Sequence, residues 1–162
     1  MPVPNGGYLG FVMNIVKDID MLRQPCHPVG DIAEGLQIGK QLLQVLYSTA
    51  NGVGLAANQI GIGKRVCVID VLGPLILVNP KIISGFKKIR YQEACLSFPG
   101  TYINTVRFAN VIVTADNHKA PLLFSEEKSL LECVCVQHEI DHLNSITMFE
   151  RELKEKDIGE QE

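Results

Sequence analysis

Two stretches of the chain repeat apolar residues at helical spacing, and short runs rich in β-branched residues lie between them. Ile32, Leu36, Leu42, Leu43 and Leu46 form one stripe, opened by Asp31 with Glu34 three positions on. An acid at the cap and another in the first turn predict an amphipathic helix that Asn51-Gly52 closes. Leu130, Leu131, Val134 and Ile140 mark a second helix, opened by Ser125 with Glu126 and Glu127 behind it and ended by Asn144 and Ser145. A hydroxyl cap followed by acids suits the positive end of a helix dipole. From Arg65 onward the period changes: Val66-Cys67-Val68-Ile69, Leu75-Ile76-Leu77-Val78, Ile89 to Tyr91 and Val111-Ile112-Val113-Thr114 read as strands. Asp116-Asn117-His118-Lys119 reads as a turn before Pro121 to Phe124. The order helix, strands, helix predicts an α+β fold, a mainly antiparallel sheet wrapped around the second helix with the first helix on its N-terminal side.

Composition narrows the class. A chain of 162 residues, 46% hydrophobic and 20% charged, has the size and balance of one globular domain spanning 1–162. Residues 1–12, with Pro2, Pro4, Gly6, Gly7 and Gly10, are expected as a flexible lead-in, and residues 151–162 as a polar tail. A net charge of −3 leaves no basic field for phosphate backbones, so direct nucleic-acid binding is not expected. No apolar run approaches membrane-spanning length, so no membrane partner is expected. Five scattered cysteines, an odd number with no secretory segment ahead of them, point to a reducing compartment, the cytoplasm, and leave free thiols available as ligands.

The second helix carries Gln137-His138-Glu139-Ile140-Asp141-His142. Positions i and i+4 share a helix face, so His138 and His142 can grip one metal ion while Glu139 sits beside it. The plainer reading, two hydrogen-bonded core imidazoles, leaves the adjacent carboxylate unexplained. His27 and His118 fall in a loop and a turn and are expected at the surface. A catalytic ion usually takes three protein ligands and keeps one position open for water. Downstream, Ser145 and Met148 stand where a metzincin has Gly and His, and too few residues remain for a thermolysin-like glutamate on another helix. Upstream, Glu93-Ala94-Cys95-Leu96-Ser97 ends a predicted strand on a thiol, a strong ligand for zinc or ferrous iron. Ahead of it stands the glycine-bearing Gly52-Val53-Gly54-Leu55-Ala56-Ala57-Asn58-Gln59.

In order and spacing, these three segments resemble the motifs of the peptide deformylases, and the resemblance runs from about Asp20 to Arg151. It implies a metal-dependent hydrolase that removes the N-formyl group from the N-terminal formyl-methionine of nascent polypeptides and releases formate. Its metal is one divalent ion, commonly Fe²⁺, with Zn²⁺, Ni²⁺ or Co²⁺ as alternatives. Carried over by position, Cys95, His138 and His142 are ligands, Glu139 is the general acid/base, and the Gln59 amide with the Leu96 backbone N–H donates to the oxyanion. Val53, Gly54, Glu93, Ala94, Val134 and Cys135 are the implied substrate-binding residues, and transient ribosome association is an implied partner.

Each role has a chemical reason. A metal lowers the pKa of a bound water, and Glu139 can accept that proton and pass it to the departing amine. Gln59 offers a neutral N–H to developing charge, although a loop glutamine capping nearby backbone is the alternative on spacing alone. Gly54, without a side chain, is expected to let an extended peptide pair against its backbone. The chain departs from the family at Ala94, where glycine is usual, and at Leu130-Leu131-Glu132-Cys133. Its tail from Arg151 holds three basic and five acidic residues, a net of −2 poorly suited to rRNA. Two other readings stand beside deformylation: a different metal-dependent amidase or peptidase, and a deformylase-like module that binds peptides without turnover.

Overall fold

The computed structural model describes residues 14–158. The lead-in expected over 1–12 and the last four residues of the expected tail lie outside that range. The fold is α+β, as the order of periods implies. A short helix α1 (Ile19–Leu22) precedes α2 (Ile32–Tyr47), β1 (Gly54–Ala56) and a 3₁₀ turn (Ala57–Ile60). There follow β2 (Val66–Asp70), β3 (Pro74–Val78), β4 (Lys81–Cys95), β5 (Phe98–Thr114) and β6 (Leu122–Ser125). The chain closes with α3 (Glu126–Leu143), a second 3₁₀ turn (Met148–Arg151) and α4 (Glu155–Ile158). The strands form two antiparallel sheets, ordered β1-β2-β3 and β4-β5-β6.

The first sheet lies between α2 and α3, which explains why its strands read as unbroken apolar runs. Strand alternation sends Cys67, Ile69, Ala56 and Leu77 to the α3 side, where they meet Val136, Ile140 and Leu143. It sends Val66, Val68, Leu55 and Val78 to the α2 side, against Ile38, Leu42 and Leu46. α2 approaches unusually closely: a methyl at Gly35 would fall 2.5 Å from Val78 Cγ1, and one at Gly39 would fall 2.4 Å from Ile76 Cγ2. Two glycines one helical turn apart therefore let helix backbone rest directly on β3.

Three sequence expectations change. α2 ends at Tyr47 with Ser48 as its cap, one turn before Asn51-Gly52. The strand expected over Ile89–Tyr91 is the middle of β4, fifteen residues long, and Val111–Thr114 is the end of the seventeen-residue β5. In this long ribbon one face is wet, so polar residues alternate through it and mask its length. Ser125 does cap α3, its Oγ accepting from Lys128 N at 3.3 Å, but the helix breaks at Ser129, which is extended. Ser129 Oγ then accepts from Glu132 N at 3.1 Å, a second cap that starts the long buried segment.

Asn117, in the expected turn, finishes an edge, and His118, expected at the surface, is drawn in beside it. Asn117 accepts from Val78 N at 3.0 Å and donates to Ile76 O at 2.8 Å, completing the free side of β3. His118 is partly buried beside it, while His27 is exposed.

Candidate metal centre

From Glu132 to Leu143 every residue of α3 is buried, because β1 and β2 cover one side of the helix and β5 and β6 the other. Its polar residues therefore need internal partners. Gln137 finds one in the β5 backbone, accepting from Phe108 N at 3.0 Å and donating to Phe108 O at 2.8 Å. His138, Glu139 and His142 face the end of β4, where alternation buries Glu93 and Cys95 and leaves Ala94 exposed.

The thiol and the two imidazoles converge there. His142 Nε2 lies 3.1 Å from His138 Nε2 and 3.4 Å from Cys95 Sγ, and the three donor atoms all lie within 4.8 Å of one another. Around a tetrahedral ion with bonds of about 2.0–2.3 Å, neighbouring donors sit about 3.3–3.6 Å apart. The donor set, with His142 at close to this separation from both its neighbours, suits a divalent transition metal, and among the described residues no other cluster of this kind forms. A second observation agrees: Glu139 Oε1 is buried beside the cluster with no hydrogen-bond partner among protein atoms.

The surrounding charges act on each of these side chains. Burial and the neighbouring His138 hold the His142 imidazole well below its ordinary pKa, so it is neutral and has a lone pair to give. His138 Nδ1 donates to Glu93 Oε1 at 2.8 Å, which leaves Nε2 free toward the cluster. Burial alone would raise the Glu93 carboxyl, but hydrogen bonds and charge from Arg107 and His138 outweigh it and hold Glu93 at about 2. Arg107 Nε and Nη2 fork onto Glu93 at 2.5 and 2.8 Å, and Thr105 Oγ1 donates to Glu93 as well. Glu139 behaves oppositely. Burial raises it to about 7, only partly countered by His138, which poises it to take and release a proton near neutrality.

Gln59 is buried with both ends of its amide engaged. Its Oε1 accepts from Ala56 N at 2.9 Å, while Nε2 donates to Ser97 Oγ at 3.1 Å and lies 3.6 Å from Cys95 Sγ. The capping alternative is thus half true, and it is what fixes which end of the amide points at the sulfur. A cavity of about 410 Å³ opens above this floor, walled by Gly52 to Gly54, Tyr91 to Leu96, Val134 and Cys135.

The site draws on all three motif segments, the third of them carried by α3, and a model of the polypeptide deformylase family matches residues 12–157. The chain belongs to the polypeptide deformylase family. A peptide deformylase of Desulfitobacterium hafniense is 43% identical over 137 residues, covering 83% of this chain and 90% of that protein. One from Endomicrobium trichonymphae is 42% identical over 129 residues, 76% of each. Among solved structures, the Thermotoga maritima peptide deformylase has a TM-score of 0.79 at 29% identity, covering 88% of this chain and 99% of that one. A Synechococcus elongatus peptide deformylase in complex with actinonin has a TM-score of 0.76 at 38% identity, over 91% and 81%.

Against the deformylase motifs, the structure brings Cys95, His138, His142, Glu139 and Gln59 together and sets Leu96 on the cavity wall. Val53, Gly54, Ala94, Val134 and Cys135 line the cavity too. Burial pushes the Cys135 thiol well above its ordinary pKa, which suits a small apolar wall better than a ligand. Two of the cavity residues are also fixed by their neighbours. Glu93 borders the cavity while its carboxylate is committed to Arg107, His138 and Thr105, so its side chain braces His138. Gly54 has a further reason to be glycine: a methyl there would fall 2.5 Å from Glu139 Oε2 and 2.6 Å from Cys135 Sγ. Ala94 has no positive φ, so alanine sits there without backbone strain. Arg107, Asp141 and Ser97 have partners at the site that the motif spacing did not reveal. Arg107 had a legible signal, an arginine on the inward-facing series Thr105, Ala109, Val111 and Val113 of β5, which demands a buried counter-charge.

Proposed function

We propose that this chain hydrolyses the N-terminal formyl group of formyl-methionyl peptides, with Cys95, His138 and His142 holding the metal. The convergence of one thiol and two imidazoles beside a buried carboxylate carries this reading. Two imidazoles and a thiolate suit Fe²⁺, Zn²⁺, Co²⁺ and Ni²⁺ alike, and ferrous iron is the ion the family resemblance favours. An ion held there supplies a Lewis acid and brings a bound water toward neutral pKa.

The protein's own groups do the rest. Glu139 receives a proton from the attacking water and delivers it to the departing amine as the carbon–nitrogen bond breaks, so formate and a free N-terminal amine leave. The Gln59 N–H, oriented by Ser97 and Ala56, donates to the oxygen on which charge develops, with the Leu96 N–H as its companion. Peptide binding follows from sheet edges. Asp70 N donates to Val53 O at 2.7 Å, which makes Val53 and Asp70 a hydrogen-bonded pair. Gly54, opposite Ile69, is then unbonded to β2 and turns its N–H and C=O to the outer edge of β1. An extended peptide pairs there regardless of its side chains, while Val53, Val134 and Cys135 receive the first residue.

Five unpaired cysteines, one of them a proposed ligand, support action in a reducing compartment such as the cytoplasm. The deciding experiment is formate release from a formyl-Met peptide, with cleavage of the same peptide unformylated as control. Formate release abolished by chelation and restored by ferrous iron is expected. Cleavage of the unformylated peptide, or binding without turnover, would sink this reading.

A further inference from the structure

Behind the metal centre a line of alternating charges runs out to the C-terminal segment. His138 Nδ1 meets Glu93, both Glu93 oxygens meet Arg107, and Arg107 Nη1 meets Asp141 Oδ2 at 2.5 Å. Asp141 then meets Arg151, whose Nε and Nη2 fork onto its two oxygens at 2.9 Å each. Glu93, Arg107 and Asp141 are buried, whereas Arg151 ends the 3₁₀ turn Met148–Arg151 with its side chain 42% exposed. The segment carrying it is tied to β5, since Leu153 N donates to Asn104 O at 2.7 Å and Glu152 bridges Thr105.

Two buried carboxylates here share one buried guanidinium. Arg107 forks onto Glu93 with Nε and Nη2 while giving Nη1 to Asp141, and the fork of Arg151 on Asp141 satisfies the rest of that carboxylate and so limits its pull on the shared guanidinium. We propose that Arg151 is a positioning residue of the metal centre: by satisfying Asp141 it keeps Arg107 on Glu93, and so keeps His138 turned to its ion. The inference rests on the proposed ligand set. It makes metal retention depend on a partly exposed residue outside all three motif segments.

The test is the Zn²⁺ dissociation constant of the full chain, read by competition with a chromophoric chelator, alongside thermal stability and steady-state kinetics of the loaded enzyme. Loss of a ligand's outer support typically weakens metal binding about 10–100-fold. Acting three contacts further out, Arg151→Ala should weaken zinc by about tenfold, the low end of that range, with KM for a formyl-Met peptide unchanged. Arg151→Lys, which keeps the charge without the fork, should fall between. In an Asp141→Asn background the competition is gone, so Arg151→Ala should change zinc affinity less than about twofold, the sign of direct coupling. Wild-type zinc affinity in Arg151→Ala, even with lowered thermal stability, overturns the proposal. If Arg151→Ala does not fold, wild-type affinity in Arg151→Lys overturns it equally. Failure of the wild type itself to bind zinc would instead overturn the metal centre.

Discussion

Gly54→Ala is the sharpest probe of how tightly this site is built, because it adds one methyl where two elements already touch. The added carbon would lie 2.5 Å from Glu139 Oε2, 2.6 Å from Cys135 Sγ and 3.0 Å from Glu139 Cγ. An ordinary contact needs about 3.5 Å, so the Glu139 carboxylate must retreat by about 1 Å or β1 must lift by as much. β1 is pinned by pairing with β2 and Glu139 by a helix buried on every side, so neither yields freely. Overpacking of this kind costs about 1–3 kcal/mol of stability, and a misplacement of about 1 Å at the reacting centre costs about 10²-fold in rate. None of the three proposed ligands is touched, so bound metal should stay stoichiometric while kcat in a formate-release assay falls by about 10²-fold. A Gly54→Ala enzyme with full metal, native thermal stability and kcat within about threefold of wild type would show that Glu139 does not need its present place.

Three further outcomes follow from the same geometry. Glu139→Gln should keep its metal and lose turnover by about 10²–10⁴-fold, since an amide cannot carry the proton; metal analysis beside kcat checks it, and residual activity above that range would remove Glu139 as acid/base. Ser97→Ala frees the Gln59 amide and should lower kcat by about tenfold with KM unchanged, whereas an unchanged kcat would mean the Ala56 contact alone orients it. Glu93 is held at about 2, below an ordinary carboxyl at 4.5, so its contribution is full above pH 4.5 and is lost as pH falls toward 2. That contribution is about 3 kcal/mol, so the urea midpoint should drop steeply across this window and Glu93→Gln should flatten the drop; parallel profiles would exonerate Glu93.

What could be read in the sequence was local. The caps at Asp31 and Ser125, the end of α3 at Asn144 and the i, i+4 histidines are signals carried by neighbours along the chain, and each has its place in the structure. The family motifs added the thiol and the amide from a distance. Signals that depend on a partner elsewhere did not show. Gly35 and Gly39 look like weak points of a helix until β3 lies against them, and nothing near Gly54 in the chain shows that α3 packs against it. Ser129 reads as one more polar helix residue, yet it restarts the helix because the chain must turn into the core there.

The hardest case is α3 itself, and its difficulty has a physical cause. Gln137, His138, Glu139, Asp141 and His142 would ordinarily mark a solvated helix face, but strands cover this helix all round. Polarity in such a helix stops reporting exposure and starts reporting debts of hydrogen bonding, which some other element must meet. β5 meets them for Gln137 and, through Arg107, for Asp141; Glu93 on β4 meets them for His138. Glu139 Oε1 has no partner within the protein, and the facing nitrogens of the two histidines meet only each other and the Cys95 thiol, while His138 and Glu139 border the cavity. The end of the helix proposed for catalysis is therefore recognisable as the part whose polar groups the fold does not fully satisfy from within, the place where a metal, a water and a substrate would complete them.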